Sequence, residues 1–144
     1  MRVLGVDYGD RNIGLALSDP LHMTSQPLGT YIFLGRPAED ASYFRDLVAR
    51  HDIGEIVVGL PLRMDGTHGN RVDKTKSFAA WLSETVGRPV AFWDERLTTH
   101  QAQAVMLEQK VRTKDKRSVV NQISAAIILQ SYLDSRRPDD ADLR

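Results

Sequence analysis

The chain has 144 residues, 42% of them hydrophobic and 26% charged, which is typical of a single globular domain. Its 19 basic and 19 acidic residues cancel, so overall charge does not indicate a nucleic-acid partner and any such surface must come from local clustering. The absence of cysteine excludes disulfides and cysteine-bound metals. Because no apolar run has membrane-spanning length and no signal-peptide pattern opens the chain, we expect a cytoplasmic protein without a membrane partner.

The first third of the chain predicts a meander of antiparallel strands. Apolar runs at Arg2–Asp7 and Ile13–Ser18 flank a turn at Gly9–Asn12, where glycine and asparagine tolerate a positive φ. A third strand is predicted at Leu28–Leu34. A helix is then expected from Pro37, since proline is favoured in the first helical turn.

The rest of the chain alternates between helices and strands. The predicted elements are a strand at Ile56–Leu60, a loop at Pro61–Asn70, a helix at Val72–Val86, a strand at Val90–Trp93, a helix at Leu97–Gln109, a basic connection at Lys110–Arg117 and a helix at Ser118–Asp134. In the helix at Val72–Val86, Phe78 and Trp81 have the spacing of core residues. We expect one domain over residues 1–135, followed by a polar tail at 136–144.

This order predicts an α/β fold built on a mixed five-stranded sheet, three strands antiparallel and then two parallel, with helices on both faces. Ligands of such sheets bind beyond the carboxyl ends of the parallel strands. Asp7 and the pair Asp94–Glu95 are expected there, at the ends of neighbouring strands. Close carboxylates repel unless a cation compensates, and oxygen ligands favour Mg²⁺ or Mn²⁺.

Basic residues near the same edge are candidates for phosphate contacts. The loop "GLPLRMDGTHGNR" contains Arg63 and Arg71. In "KVRTKDKR", five of eight residues are basic, just before the last helix. The full set expected to contact nucleic acid is Arg11, Arg63, Arg71, Arg96, Thr98, Lys110, Arg112, Lys114, Lys116 and Arg117.

Four stretches together resemble the successive signatures of the YqgF/RuvX family: "GVDYGDRNIGLALSD", "VVGLPLRMDG", "FWDERLTT" and "ISAAIILQSYLD". The resemblance covers nearly the whole chain and implies a ribonuclease H-like fold akin to that of Holliday junction resolvases. It also implies a nuclease that processes the 5′ end of pre-16S rRNA, with structured RNA or branched DNA as substrate and ribosomal precursor particles as partners. The sequence does not decide whether the substrate is RNA or DNA, whether cleavage is endo- or exonucleolytic, or what the oligomeric state is.

The same resemblance implies which residues form the metal site. Asp7 matches the first-strand acid of the family and Glu95 the acid after the fifth strand, with Asp94 beside it. Strand alternation puts Asp94 and Glu95 on opposite faces; we favour Glu95 as the one facing Asp7. The family usually has Val-Asp at the start of the last helix, where this chain has Val120-Asn121. We expect Asp7 and Glu95 to hold the metal, with Asn121 or Asp94 completing its ligands. Asn121 can ligate a metal without adding charge, so we expect weaker binding and a preference for Mn²⁺.

Two other functional classes are compatible with parts of the pattern. ATPases of the actin and sugar-kinase type share the opening Gly-x-Asp-x-Gly, but they clasp a nucleotide between two lobes and this chain has room for one. A non-catalytic nucleic-acid-binding module would keep the fold and the basic segment and would have lost its chemistry through Asn121.

Overall fold

The architecture is that of a computed structural model, which describes residues 1–62, 69–98 and 116–136, the last range with side chains from residue 119 onward. The strands are β1 (Arg2–Tyr8), β2 (Asn12–Ser18), β3 (Ser25–Ile32), β4 (Ile53–Leu60) and β5 (Val90–Asp94). The helices of the described ranges are α1 (Pro37–Arg50), α2 (Asn70–Val86) and α3 (Lys116–Arg136), and a 3-10 turn at Glu95–Leu97 follows β5.

The strands form one sheet in the order β3-β2-β1-β4-β5. β1, β2 and β3 pair antiparallel, whereas β4 lies parallel to both β1 and β5. The predicted mixed sheet is therefore confirmed. The expectation that Asp7 and Asp94–Glu95 end neighbouring strands is wrong, because β4 lies between β1 and β5.

Both faces of the sheet are covered, which explains the almost continuous apolar runs of β1 and β4. Side chains alternate along β1: Leu4 and Val6 pack with Phe44 and Leu82 of α1 and α2, while Val3 packs against α3 on the other face. Trp81 was predicted to be a core residue, but it is only partly buried, at the edge of the cluster that contains Leu4, Val6, Phe44 and Leu82.

Helix α3 lies unusually close to the sheet, over small residues. A Cβ atom added to Gly5 would stand 2.7 Å from Cβ of Leu129, and Ala125 and Ala126 of α3 are fully buried on the same face. Neither α3 nor any other helix in the described ranges is long and apolar enough to cross a membrane.

Several predicted boundaries differ from the observed ones. β3 spans Ser25–Ile32 rather than Leu28–Leu34; it is an edge strand, where Pro27 and polar residues are tolerated. Lys116 and Arg117 belong to α3 and not to a connection. The predicted helix at Leu97–Gln109 begins instead with the 3-10 turn, and its residues from 99 onward lie outside the described ranges.

Candidate active site

Two carboxyl groups meet at the carboxyl ends of the parallel strands. Asp7 lies near the end of β1 and Glu95 directly follows β5, and their side chains share a hydrogen bond. We call Asp7 and Glu95 the acid pair. Three strands stand side by side here, so Glu95 has to cross the whole width of β4 to reach Asp7.

Gly59 of β4 provides the space for this crossing. It follows Val58, the register partner of Val6, and therefore lies beside Asp7. A Cβ atom at Gly59 would stand 3.0 Å from Cγ and 3.2 Å from Oε1 of Glu95, and 2.6 Å from Cδ1 of Ile128. The glycine thus leaves a gap through which the Glu95 side chain passes between the sheet and α3.

Burial and the closeness of the two carboxyl groups oppose ionisation of the acid pair. Burial raises the pKa of Asp7, although the Arg71 guanidinium and the hydrogen bond with Glu95 oppose the rise. Burial and the neighbouring Asp7 carboxylate raise the pKa of Glu95 to about 7, again against the charge of Arg71. Two carboxylates this close do not both ionise easily without a compensating cation.

Asp94 points away from the acid pair and is engaged elsewhere. Its carboxylate accepts hydrogen bonds from the backbone N–H of Arg96 and from the Arg96 guanidinium, at 2.9 and 2.6–3.0 Å. The Arg96 contacts hold the pKa of Asp94 below its usual value. Asp94 therefore caps the turn that carries Glu95, and strand alternation puts the two carboxylates on opposite faces.

Asn121 approaches the site through its backbone. Gly14 of β2 is the register partner of Asp7, and a Cβ atom there would stand 1.9 Å from the carbonyl oxygen of Asn121. The first turns of α3 thus lie against β2 at the level of Asp7, and any side chain at position 14 would push α3 away.

The other candidate residues divide into three groups. Arg71, in the first turn of α2, acts electrostatically on both acids. Thr98 closes the turn after Glu95, since its N–H and hydroxyl both donate to the Glu95 carbonyl, and Arg11 lies exposed in the turn between β1 and β2. The predicted nucleic-acid contacts that fall outside the described residues, or on side chains the structure does not describe, are Arg63, Lys110, Arg112, Lys114, Lys116 and Arg117.

The structural importance of Gly14 and Gly59 was missed in the sequence. The signal was present, because a glycine inside an apolar strand often marks a close approach of backbone or side chain. The two glycines lie within "IGLALS" and "IVVGL".

The donor set suits a hard cation but is small. Within residues 1–62, 69–98 and 116–136, no group of three or more His, Cys, Asp or Glu side chains is placed to hold a metal ion. The acid pair offers two carboxyl groups, both partly buried and both with a raised pKa, and a bound cation would balance their charge.

Solved structures with the same architecture identify the fold. Thermus thermophilus RuvC, in a structure described as a complex with a Holliday junction substrate, superposes with a TM-score of 0.60 and 17% identity over 94% of this chain and 95% of that one. The yeast mitochondrial Holliday junction resolvase gives a TM-score of 0.52 and 11% identity over 91% and 77% of the two chains. The fold is therefore ribonuclease H-like, of the resolvase type, as predicted.

The chain belongs to the RuvX family, whose model, described as Holliday junction resolvase, matches residues 1–135. Proteins named "Putative pre-16S rRNA nuclease" from Halothermothrix orenii and Moorella thermoacetica are 42% and 45% identical to it; the alignments cover 92% and 93% of this chain and 94% and 95% of the relatives. The family resemblance drawn from the four motifs is thereby confirmed.

Proposed function

We propose that this protein is a metal-dependent nuclease that hydrolyses phosphodiester bonds in structured nucleic acid, and that it processes the 5′ end of pre-16S rRNA. The relatives named "Putative pre-16S rRNA nuclease" support pre-16S rRNA as the substrate. The observation that carries the chemistry is the acid pair itself, formed by Glu95 crossing β4 over Gly59 to reach Asp7 beside the positive charge of Arg71.

Asp7 and Glu95 would hold the metal, with the Asn121 side-chain oxygen completing the ligand set. A bound Mg²⁺ or Mn²⁺ supplies charge stabilisation at the phosphate and lowers the pKa of an attacking water. Both carboxyl groups must be deprotonated to bind the ion. Asp94 and Arg96 act as positioning residues, because their paired side chains fix the turn from which Glu95 extends.

The phosphate would be met by Arg71 at the start of α2, which lies close enough to affect the pKa of both acids. Arg11, in the exposed turn after β1, would contact the backbone farther along the strand. Such contacts bind phosphates without reading sequence and are screened by salt. We expect modest affinity with marked salt dependence, because the chain has no net charge.

The presence of Asn121 favours one weakly held ion. Two carboxylates and one neutral oxygen provide less negative charge than three carboxylates, so affinity falls, most of all for a second ion. We therefore expect Mn²⁺ to support activity better than Mg²⁺.

Resolution of branched DNA is the second candidate, supported by the description of the family model. Symmetric cutting of a four-way junction requires two sites related by a two-fold axis, and therefore a dimer. A protein that cleaves as a monomer would favour the rRNA substrate.

The test is cleavage of end-labelled RNA containing the 5′ leader of 16S rRNA, and of a four-way DNA junction, with Mg²⁺ and Mn²⁺ added separately. Asp7→Asn should abolish metal-dependent cleavage, while Asp46→Asn, at an exposed position on α1, should leave it unchanged. Binding of both substrates without cleavage by the wild type would instead indicate a non-catalytic module.

A further inference from the structure

A second concave site lies on the opposite face of the sheet from the acid pair. It is a groove of about 490 Å³ between the end of β1, the segment after β3, and helices α1 and α2. Aromatic side chains from three of these elements line it, namely Tyr8, Phe33, Phe78 and Trp81. We call this site the aromatic groove.

The aromatic rings form a floor and walls. Phe78 is buried at the floor, stacked on Tyr8 with ring centroids 4.5 Å apart. Phe33 meets Phe78 and Trp81 edge-on, both at 5.8 Å. Tyr8, Phe33 and Trp81 are only partly buried, so aromatic surface stays open to a ligand. Planar rings stack on such surfaces largely regardless of their substituents.

Asp40 shapes the groove by holding one wall in place. The buried Asp40 carboxylate accepts hydrogen bonds from the Tyr31 hydroxyl and from the backbone N–H groups of Leu34 and Arg36, the latter two at 3.1 Å. These contacts flank Gly35 and fix the segment that carries Phe33. The groove is therefore built before any ligand binds.

The rim of the groove is polar on the side of α2. Asp73, Lys74 and Ser77 line it and are exposed. Lys74 Nζ stands 3.9 Å from Oδ1 of Asp10, a long and solvent-exposed contact from which the ammonium group can turn to a phosphate. The site thus combines stacking surfaces with a rim that carries one cation (Lys74), one anion (Asp73) and the Ser77 hydroxyl.

The aromatic groove and the acid pair are connected along α2. Arg71, which acts on both acids, recurs with Lys74, Phe78 and Trp81 at spacings of three, four and three residues, so the four lie along one side of the helix. Ten residues of helix span about 15 Å, a distance covered by a few nucleotides. Tyr8 also directly follows Asp7 on β1, with its side chain on the other face.

We propose that the aromatic groove binds an unpaired nucleobase of the strand whose phosphate lies at the acid pair, with Lys74 on the intervening backbone. This inference rests on the proposed nuclease function and restricts the class of substrate. The substrate must offer an unstacked base a few nucleotides from the cleaved bond, as loops and single-stranded ends do and continuous duplexes do not.

Intrinsic fluorescence tests this directly. The sequence has two tryptophans, and Trp93 lies on the other face of the sheet with its indole N–H donating to Ser131, so Trp93→Phe leaves Trp81 as the reporter. Hexaadenylate RNA, added to the full chain without divalent ions, should quench Trp81 saturably. A blunt RNA duplex at the same phosphate concentration should quench it much less.

Ser77→Phe, made in the Trp93→Phe background, fills the groove from an exposed helical position without removing a core side chain. We expect hexaadenylate to bind at least about tenfold more weakly, within the range of one lost stacking contact. Ser42→Phe in the same background is the matched control on the exposed surface of α1 and should bind like its parent. Thermal unfolding of each variant checks that the fold is retained.

No quenching of Trp81, or equal affinity in Ser77→Phe and Ser42→Phe, would overturn the proposal. The cleavage assay separates this outcome from failure of the nuclease function. Asp7-dependent cleavage without base binding in the groove would contradict only the groove proposal. Quenching of Trp81 fluorescence by RNA without any cleavage would contradict the nuclease proposal.

Discussion

The carboxyl groups of Asp7 and Glu95 share a hydrogen bond although β4 lies between β1, which carries Asp7, and β5, which Glu95 directly follows. This contact is possible because β4 has a glycine at position 59. Without a side chain there, a gap remains between the sheet and α3, and the Glu95 side chain occupies it. The site is therefore built from β1, which carries Asp7, from the turn after β5, which carries Glu95, and from β4, where Gly59 leaves the space between them.

Substitution of Gly59 by alanine should disrupt this arrangement. The new methyl group would stand 3.0 Å from Cγ of Glu95 and 2.6 Å from Cδ1 of Ile128, so the glutamate must move and α3 must adjust. We expect loss of metal-dependent cleavage and a fall in the free energy of unfolding of about 1–3 kcal/mol. Cleavage assays and urea denaturation measure the two effects.

Gly29→Ala is the matched control. Position 29 also lies in a strand, and no described atom comes within 4 Å of the Cβ position there. It should keep both activity and stability. Equal activity in the two alanine variants would show that Glu95 does not need the gap.

Stability in the absence of metal should depend on pH through Glu95. Its pKa is about 7 in the folded protein, against 4.5 as its ordinary value, so the folded state binds more protons than the unfolded state between these values. The stabilisation is complete below pH 4.5 and is lost as pH rises through 7. After allowance for solvent screening, it is on the order of 2 kcal/mol.

Denaturation at pH 5 and pH 8 in EDTA measures this loss. Glu95→Gln should flatten the pH dependence, while Glu84→Gln, at an exposed position on α2, should leave it unchanged. If Glu95→Gln shows the same slope as the wild type, the pH dependence does not arise from Glu95.

Replacement of Asn121 by aspartate should tighten metal binding by adding a third anion to the site. We expect about tenfold higher affinity for Mn²⁺, since the number of charged ligands tunes affinity for hard cations. Isothermal titration calorimetry measures it. Ser42→Asp adds the same charge on an exposed part of α1 and should have no effect. An unchanged Mn²⁺ affinity in Asn121→Asp would place the Asn121 side chain outside the ligand set.

Loss of the Arg71 guanidinium should weaken substrate binding without changing which sequences bind. The slope of the logarithm of the binding constant against the logarithm of salt concentration should decrease by about one in Arg71→Ala. Lys76→Ala removes an exposed cation from another side of α2 and should alter the slope less. Fluorescence anisotropy with labelled RNA over a range of salt concentrations gives both values.

Periodicity and apolar runs were sufficient to predict the mixed sheet, because β1 and β4 are covered on both faces and read as continuous hydrophobic segments. Prediction was weakest where tertiary context decides. β3 begins in the polar stretch Ser25-Gln26-Pro27, which forms a strand only because it lies at the edge of the sheet.

The sequence motifs suggested residues for the site, whereas its geometry required the structure. Motifs pointed to Asp7, Glu95 and Asn121, but strand order was needed to show that β4 intervenes and that the two acids meet across it. The alternation of side chains along a strand could not by itself show whether Asp94 or Glu95 faces Asp7. The choice follows from Trp93 and Glu95 sharing the α3 side of the sheet, while Asp94 turns to Arg96.

The most direct test of the central claim compares these two neighbouring acids in one assay. We would measure single-turnover cleavage of the RNA carrying the 5′ leader of 16S rRNA, in Mn²⁺, by Glu95→Gln and Asp94→Asn. We expect a fall of about 100-fold or more for Glu95→Gln, because a metal ligand is lost, and less than about tenfold for Asp94→Asn. The reverse order, or equal losses, would contradict the assignment of the acid pair.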